Sequence, residues 1–214
     1  MKKSIQLADF VFEKLEEDIL IGRYEAGTVL TEIKLSQELG VSRTPLREAL
    51  NRLRQEGLIA DIGKGILVKG ITERDLIDIY EVRMLLEGNA VALATINATE
   101  EDLKALRQAL DMEEFFTGKG DYVQVSKADE EFHAILYRVS GSAIYQSVLS
   151  DMHRRIKRYR AISIESRDRG RCTVEEHDKI YRAMLARDDK LASKYAVEHI
   201  KNARDYLLRD KKEV

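Results

Sequence analysis

The run Val41-Ser42-Arg43-Thr44-Pro45-Leu46-Arg47-Glu48-Ala49-Leu50 sets hydroxyl residues on both sides of an arginine and follows them with the chain's one proline. Ser42 or Thr44 can cap a helix, and Pro45 then falls in its first turn, where a missing N–H does no harm. Leu46, Ala49, Leu50 and Leu53 share one side of that helix, while Arg43 and Arg47, one turn apart, share another. Upstream, Thr31 can cap a helix carrying Ile33, Leu35 and Leu39, which Gly40 stops. Before it, Ala8, Val11, Phe12, Leu15 and Ile19 recur at helical steps from Ile5 to Ile19, and Gly22 ends the pattern. Downstream of Gly57, Leu58-Ile59-Ala60 and Ile66-Leu67-Val68 flank Asp61-Ile62-Gly63-Lys64-Gly65, which predicts a hairpin with a flexible, basic tip. Helix, helix, tight turn, helix, hairpin is the order of a winged helix-turn-helix, here expected over residues 1–70. Such a fold puts the start of its third helix in the major groove. Arg43 and Arg47 would face base edges, Ser42 and Thr44 would donate to phosphate, and Lys64 would reach the backbone or the minor groove. A merely solvated arginine face is the ordinary alternative.

At 214 residues the chain can make one large domain or two of ordinary size. A composition 44% hydrophobic and 35% charged, with few helix breakers, is that of a strongly helical globular protein. Taken alone, the net charge of −2 argues against a nucleic-acid partner. Between Ser42 and Arg54, however, Arg43, Arg47, Arg52 and Arg54 are accompanied by one acid, Glu48, so an acidic remainder hides a basic segment. Gln6 and Asp9 interrupt any secretory-type apolar stretch, and no later run is long enough to span a membrane. A lone Cys172 rules out an intrachain disulfide framework, so a cytoplasmic protein with no membrane partner is expected.

Beyond Gly70 the pattern becomes helix after helix. Thr72-Glu73-Arg74-Asp75 and Thr99-Glu100-Glu101-Asp102 open two of them, and Thr173-Val174-Glu175-Glu176 reads as a capping box on a third. Others are expected from Asp121 to Val139, from Ser142 to about Arg160, and from Asp189 to Arg209. Breaks are expected at Thr117 to Gly120, Ser140-Gly141, and Ser166 to Gly170. The fold class predicted is therefore mainly α: the winged head, then an antiparallel all-α bundle over residues 71–214, the kind of core that houses ligand and metal sites.

All four histidines, His133, His153, His177 and His199, lie in this second part. Asp129 and His133 stand four residues apart on one helical face, a spacing that suits a metal ion but also a plain hydrogen bond. His177 and His199 lie on successive helices, which can aim both rings at one point. Spacing alone does not establish convergence.

The run from Val41 to Leu50, with Gly22-Arg23-Tyr24, Gly27 and Leu30 before it and Leu53 and Glu56-Gly57-Leu58-Ile59 after it, resembles the signature of the GntR superfamily of bacterial repressors. The resemblance implies that Arg43, Thr44, Arg47 and the wing glycine Gly63 touch DNA. Ile33 departs from it, standing where many members carry an arginine. Arg83-Met84-Leu85-Leu86-Glu87, Asp129 to His133, Glu176-His177 with Ile180, Ala183 and Met184, and Asp188-Asp189, Ala192 and Glu198-His199-Ile200 resemble the FadR-type ligand domain, FCD. In its metal-holding branch the ligands are an Asp and three His at positions matching Asp129, His133, His177 and His199; the fatty-acyl-binding branch lacks that set. His153 has no counterpart and reads as an ordinary surface or pocket-edge residue.

One carboxylate and three imidazoles suit Zn²⁺ or Ni²⁺, with Mn²⁺ or Fe²⁺ as alternatives, and water or an effector carboxylate would complete the shell. An acid effector also wants a fixed cation, for which Arg83 is the candidate, against simple pairing with Glu87 one turn away. The expected protein is thus not an enzyme but a homodimeric repressor that binds an inverted-repeat operator and answers to a small carboxylate effector. A metallohydrolase would leave the DNA head unexplained, and a purely architectural DNA-binding protein would leave the ligand set unexplained.

Overall fold

Helix α1 (Lys2–Leu20) forms because Val11, Phe12, Leu15 and Ile19 return to one face, and that face is buried. The computed structural model describes residues 2–157, 159–160 and 167–210. Helix α2 (Glu32–Leu39) starts where the Thr31 hydroxyl accepts from the Lys34 N–H, and it stops at Gly40, whose φ of 64° lies in the left-handed region that a side chain disfavours. Two residues later Ser42 is the N-cap of α3 (Arg43–Gln55). Pro45 sits in the first turn, and Leu46, Ala49, Leu50 and Leu53 are buried against α1 and the sheet. Each buried leucine contributes about 1.5–3 kcal/mol of transfer energy, which fixes the angle at which the opposite face of α3 is offered to solvent.

Strands β2 (Ile59–Ile62) and β3 (Gly65–Val68) make the expected hairpin, joined by Gly63 and Lys64 alone. The short apolar run at β1 (Val29–Leu30) adds a third strand, antiparallel to β3, so β3 is central.

The chain divides into two compact units, Met1–Asp75 and Leu76–Val214. The helices that follow the wing are α4 (Glu73–Asn97), α5 (Glu100–Lys119), α6 (Tyr122–Val139), α7 (Ala143–Arg155), α8 (Arg167–Leu185) and α9 (Asp189–Asp210). Several begin on the caps read from sequence. The Thr72 N–H donates to Asp75 and the Asp75 N–H to the Thr72 hydroxyl, Thr99 and Asp102 close a capping box, and Asp121 and Ser142 cap α6 and α7. No described helix is long and apolar enough to cross a membrane.

Two expectations are corrected here. Thr173 does not cap a helix, since it lies inside α8 with its hydroxyl donating to the Arg169 carbonyl at 3.0 Å. The break expected from Ser166 to Gly170 is likewise helical from Arg167 on, while Ser166 lies outside the described residues. A two-turn ion pair from Arg169 to Glu176 spans this stretch and offsets the weak helix propensity of Gly170.

Ala90, Leu106, Phe132, Leu136, Leu149, Ile180 and Ala196 form the core of the helical unit. Gly88 lets α4 and α9 approach closely: a Cβ there would meet Ser193 Oγ and Val197 Cγ2 at 2.8 Å. Replacing Gly88 by Val should therefore lower stability by about 1–3 kcal/mol in urea denaturation, since overpacking outweighs the gain in helix propensity. A more stable variant would mean that the two helices are not held this closely.

Candidate DNA-reading helix and metal centre

Ser42, Arg43, Thr44 and Arg47 all lie exposed at the start of α3, and Gly63 and Lys64 are exposed at the wing tip. The Ser42 hydroxyl makes no capping bond, so it can donate elsewhere. The side chains of Arg43 and Lys64 have no hydrogen bond or ion pair among the described residues. Arg47 donates through Nε to Glu32 at 2.9 Å, an exposed pair worth about 0–1 kcal/mol, which a phosphate or base can displace at little cost. The other two arginines of the basic segment are committed within the head. Arg52 lies over the Phe12 ring and pairs with Asp9, and Arg54 pairs with Asp61. Ile33 is exposed and offers no charge.

In the helical unit, α6, α8 and α9 bring His133, His177 and His199 together, with one ring nitrogen of each inside a common 4.8 Å span. All three rings are buried. Their centroids stand 4.5, 5.2 and 5.3 Å apart, roughly the separation of imidazoles whose nitrogens lie about 2.1 Å from one ion. Behind each ring stands a carboxylate. His177 Nδ1 meets Glu113 Oε2 at 2.7 Å, His199 Nδ1 meets Glu176 Oε2 at 2.7 Å, and His133 Nδ1 meets Glu87 Oε1 at 3.1 Å. With one proton per ring, each Nδ1 carries it outward to its carboxylate, and each Nε2 is left bare.

The bare nitrogens of His177 and His199 then face each other at 3.3 Å. Two lone pairs so placed repel unless a cation lies between them. Glu113 Oε1, buried and without a hydrogen-bond partner among the described residues, adds to the demand for positive charge. The donor set fits a divalent ion held by imidazoles with carboxylates behind them. Asp129, one turn before His133, lies within 4.8 Å of a nitrogen of His177 and an oxygen of Glu113, but its carboxylate is paired with Arg160.

Burial is the largest influence on these rings. It lowers the His133 pKa to about 4, although Glu87 pulls the other way, and it holds His199 and His153 well below the usual imidazole range. Burial alone would raise the Glu87 carboxyl, but the Arg83 guanidinium keeps it below the ordinary carboxylate range.

Arg83 is buried and donates to Glu87 from Nε and Nη2, while the Tyr137 hydroxyl donates to Glu87 at 2.6 Å. The simple pairing with Glu87 is thus present. Arg83 nevertheless also lines a small cavity of about 20 Å³ with Tyr80, Asp129, His133, Arg160 and Arg169. The Tyr80 hydroxyl there is buried without a hydrogen-bond partner among the described residues. Three guanidinium groups thus line one cavity, each paired with a carboxylate.

His153 is not a surface residue. Its ring is buried, its centroid lies 4.7 Å from that of His133, and its Nε2 lies 3.8 Å from Asp129 Oδ2. Sequence reasoning also passed over Glu113, Tyr137, Arg160 and Arg169. An acid on a core-facing helical position, as Glu113 is among Leu106, Ala109 and Leu110, is the signal that could have found the first. Glu176 accepts from Arg169 twice and from His199 and Asn202. Glu176→Ala should cost about 3–5 kcal/mol in denaturation of the chelator-treated protein, because Arg169 is left buried and unpaired, whereas Glu176→Gln should cost less. A loss under about 1 kcal/mol for the alanine variant would contradict this network.

Comparison with known proteins identifies both parts of the chain. The model for bacterial regulatory proteins of the gntR family matches residues 7–68, and that for the FCD domain matches residues 78–202. The Nta operon transcriptional regulator of Aminobacter aminovorans is 34% identical over 186 residues, 86% of this chain and 87% of that protein. The gluconate operon transcriptional repressor of Bacillus subtilis is 32% identical over 139 residues, 65% of this chain and 57% of that protein. The solved structure of Escherichia coli McbR/YncC superposes with a TM-score of 0.79 at 26% identity, covering 96% of this chain and 98% of that one. The chain belongs to the gntR family of bacterial regulatory proteins, and it is a DNA-binding transcription regulator with a winged helix-turn-helix and an FCD domain.

Proposed function

We propose that this regulator is a repressor whose operator affinity is set by a small organic acid bound at a divalent-metal centre made of Asp129, His133, His177 and His199. The observation that carries the reading is the meeting of bare imidazole nitrogens in a buried space, each ring backed by its own carboxylate. Three imidazoles and one carboxylate favour Zn²⁺ or Ni²⁺ over the harder Mn²⁺ or Fe²⁺. The bound ion offers a carboxylate effector a Lewis-acidic point of attachment. Arg83, Arg160 and Arg169 supply fixed positive charge around it, and the unpartnered Tyr80 hydroxyl supplies a hydrogen bond. The cavity holds about one water, so an organic acid must open it, and releasing Arg160 from Asp129 is the nearest way to do so. Opening of this kind couples binding to shape, at a typical strength of about 1–3 kcal/mol. The chain itself links the two units, because α4 starts five residues after the last residue of β3. A repressor role has the support of the Bacillus relative, which is a repressor.

Residues 1–70 act as the DNA-binding head and residues 71–214 as the effector and dimerisation domain of a homodimer on an inverted repeat, working in the cytoplasm. One reading helix covers only a few base pairs, and a two-fold dimer presents two of them to successive half-sites. The stripe of Val82, Leu85, Leu93 and Ile96 along one side of α4 is exposed and apolar, as a surface covered by a second copy would be.

Protein purified without chelator or nickel resin should carry about one Zn²⁺ or Ni²⁺ per chain on elemental analysis. Stripping the ion should lower the melting temperature, and restoring it should reverse the loss. No stoichiometric metal, with melting indifferent to added metal, would sink the proposal. For the head, Arg43→Ala or Arg47→Ala should cost about 1–3 kcal/mol at a guanine and relax specificity there, while Lys64→Ala should weaken all sequences alike and flatten the salt dependence. Equal loss on operator and random DNA for the two arginine variants would refute base contact.

A further inference from the structure

His153 occupies an unusual place for a residue outside the expected ligand set. It is 4% exposed, yet among the described residues neither ring nitrogen has a hydrogen-bond partner. A buried polar group in that state costs about 1–3 kcal/mol, and a histidine is poor filling for a site that a leucine or phenylalanine could occupy. Its surroundings are the rings of His133 and Tyr137, with centroids at 4.7 and 6.1 Å, and the Asp129 carboxylate, 3.8 Å from Nε2. Among the described residues it does not join the three-histidine group.

We infer that His153 is a positioning residue for the metal centre: its Nε2–H holds the Asp129 carboxylate in place when that carboxylate serves the ion. The inference rests on the metal reading above. Asp129 is the member of the set whose orientation is least secured. Each of the three imidazoles has a carboxylate behind it, whereas the Asp129 carboxylate is paired with Arg160 and turned to by His153. A carboxylate divided between an arginine and an ion needs a second donor that stays when the arginine leaves. His153 meets that need. A shift of about 1 Å brings Nε2 to hydrogen-bond distance of Oδ2, and the neutral ring carries one N–H to give. Partners of this kind, one bond removed from the metal, typically change its affinity 10–100-fold.

The test compares full-length wild type, His153→Phe and His153→Gln by competition for Ni²⁺ and for Zn²⁺ against a chromophoric chelator, with melting in excess chelator as the folding control. Phenylalanine fills the space without a donor, and glutamine puts an amide N–H where Nε2 stands. Metal affinity should fall 10–100-fold in His153→Phe and return to within a few-fold of wild type in His153→Gln, with one ion per chain in all three. Melting of metal-free His153→Phe should equal or exceed that of wild type, since two unsatisfied nitrogens have gone. A purely structural histidine would instead lower the metal-free melting point. If His153→Phe binds both ions within twofold of wild type, the inference falls while the metal centre stands. If glutamine fails to rescue and the stoichiometry drops, His153 is itself a ligand and the positioning role is wrong. If wild type binds neither ion, the metal reading falls and takes this inference with it.

Discussion

Three carboxylates stand behind three imidazoles, and the direction of the proton in each of those contacts governs the helical unit. Glu87, Glu113 and Glu176 lie on α4, α5 and α8, while the rings they orient lie on α6, α8 and α9. Each Nδ1–H points away from the centre, so each Nε2 lone pair points toward it. Reverse one tautomer and a proton takes the place between the facing nitrogens where a metal ion would sit. The same contacts tie five of the helices together, so site and core are not separable here: Phe132 stacks on His177 at 4.3 Å while packing into the apolar cluster.

The charges around the centre are nearly balanced pair by pair. Arg83 answers Glu87, Arg169 answers Glu176 and Arg160 answers Asp129, while Glu113 answers only to His177 and keeps one oxygen without a partner. That leaves a surplus of negative charge and lone pairs on the side where the imidazoles meet. It leaves guanidinium groups on the side of the cavity. A cation where the imidazoles meet is the occupancy that such a distribution favours.

Much of the head was legible because local rules and tertiary fold agree there. Thr31, Gly40 and Pro45 act where their chemistry says they should, Ser42 takes the N-cap position without a side-chain capping bond, and the heptad-like leucines of α3 are all buried. In the helical unit, caps at Thr72, Thr99, Asp121 and Ser142 read correctly for the same reason. Thr173 misled because a capping box is a local pattern, and the Arg169–Glu176 ion pair, two helical turns long, carries the helix back through it. The resemblance to the FCD domain implied a meeting of His133, His177 and His199 that spacing alone did not establish, and what holds them comes from other helices. Glu113 lies 64 residues before His177, and Glu87 46 before His133, separations at which no periodicity in one sequence links two residues. His153 was misjudged on the same ground, since its burial depends on how α7 lies against α6, which its neighbours in sequence do not reveal.

The account turns on where the imidazole protons sit, and long-range ¹⁵N–¹H NMR of the histidine rings in metal-free protein at neutral pH reads this directly. It predicts that His133, His177 and His199 are all singly protonated at Nδ1, with ¹⁵N shifts of bare, acceptor-type Nε2 atoms. Nε2–H tautomers in these rings, or a second proton shared between His177 and His199, would contradict it.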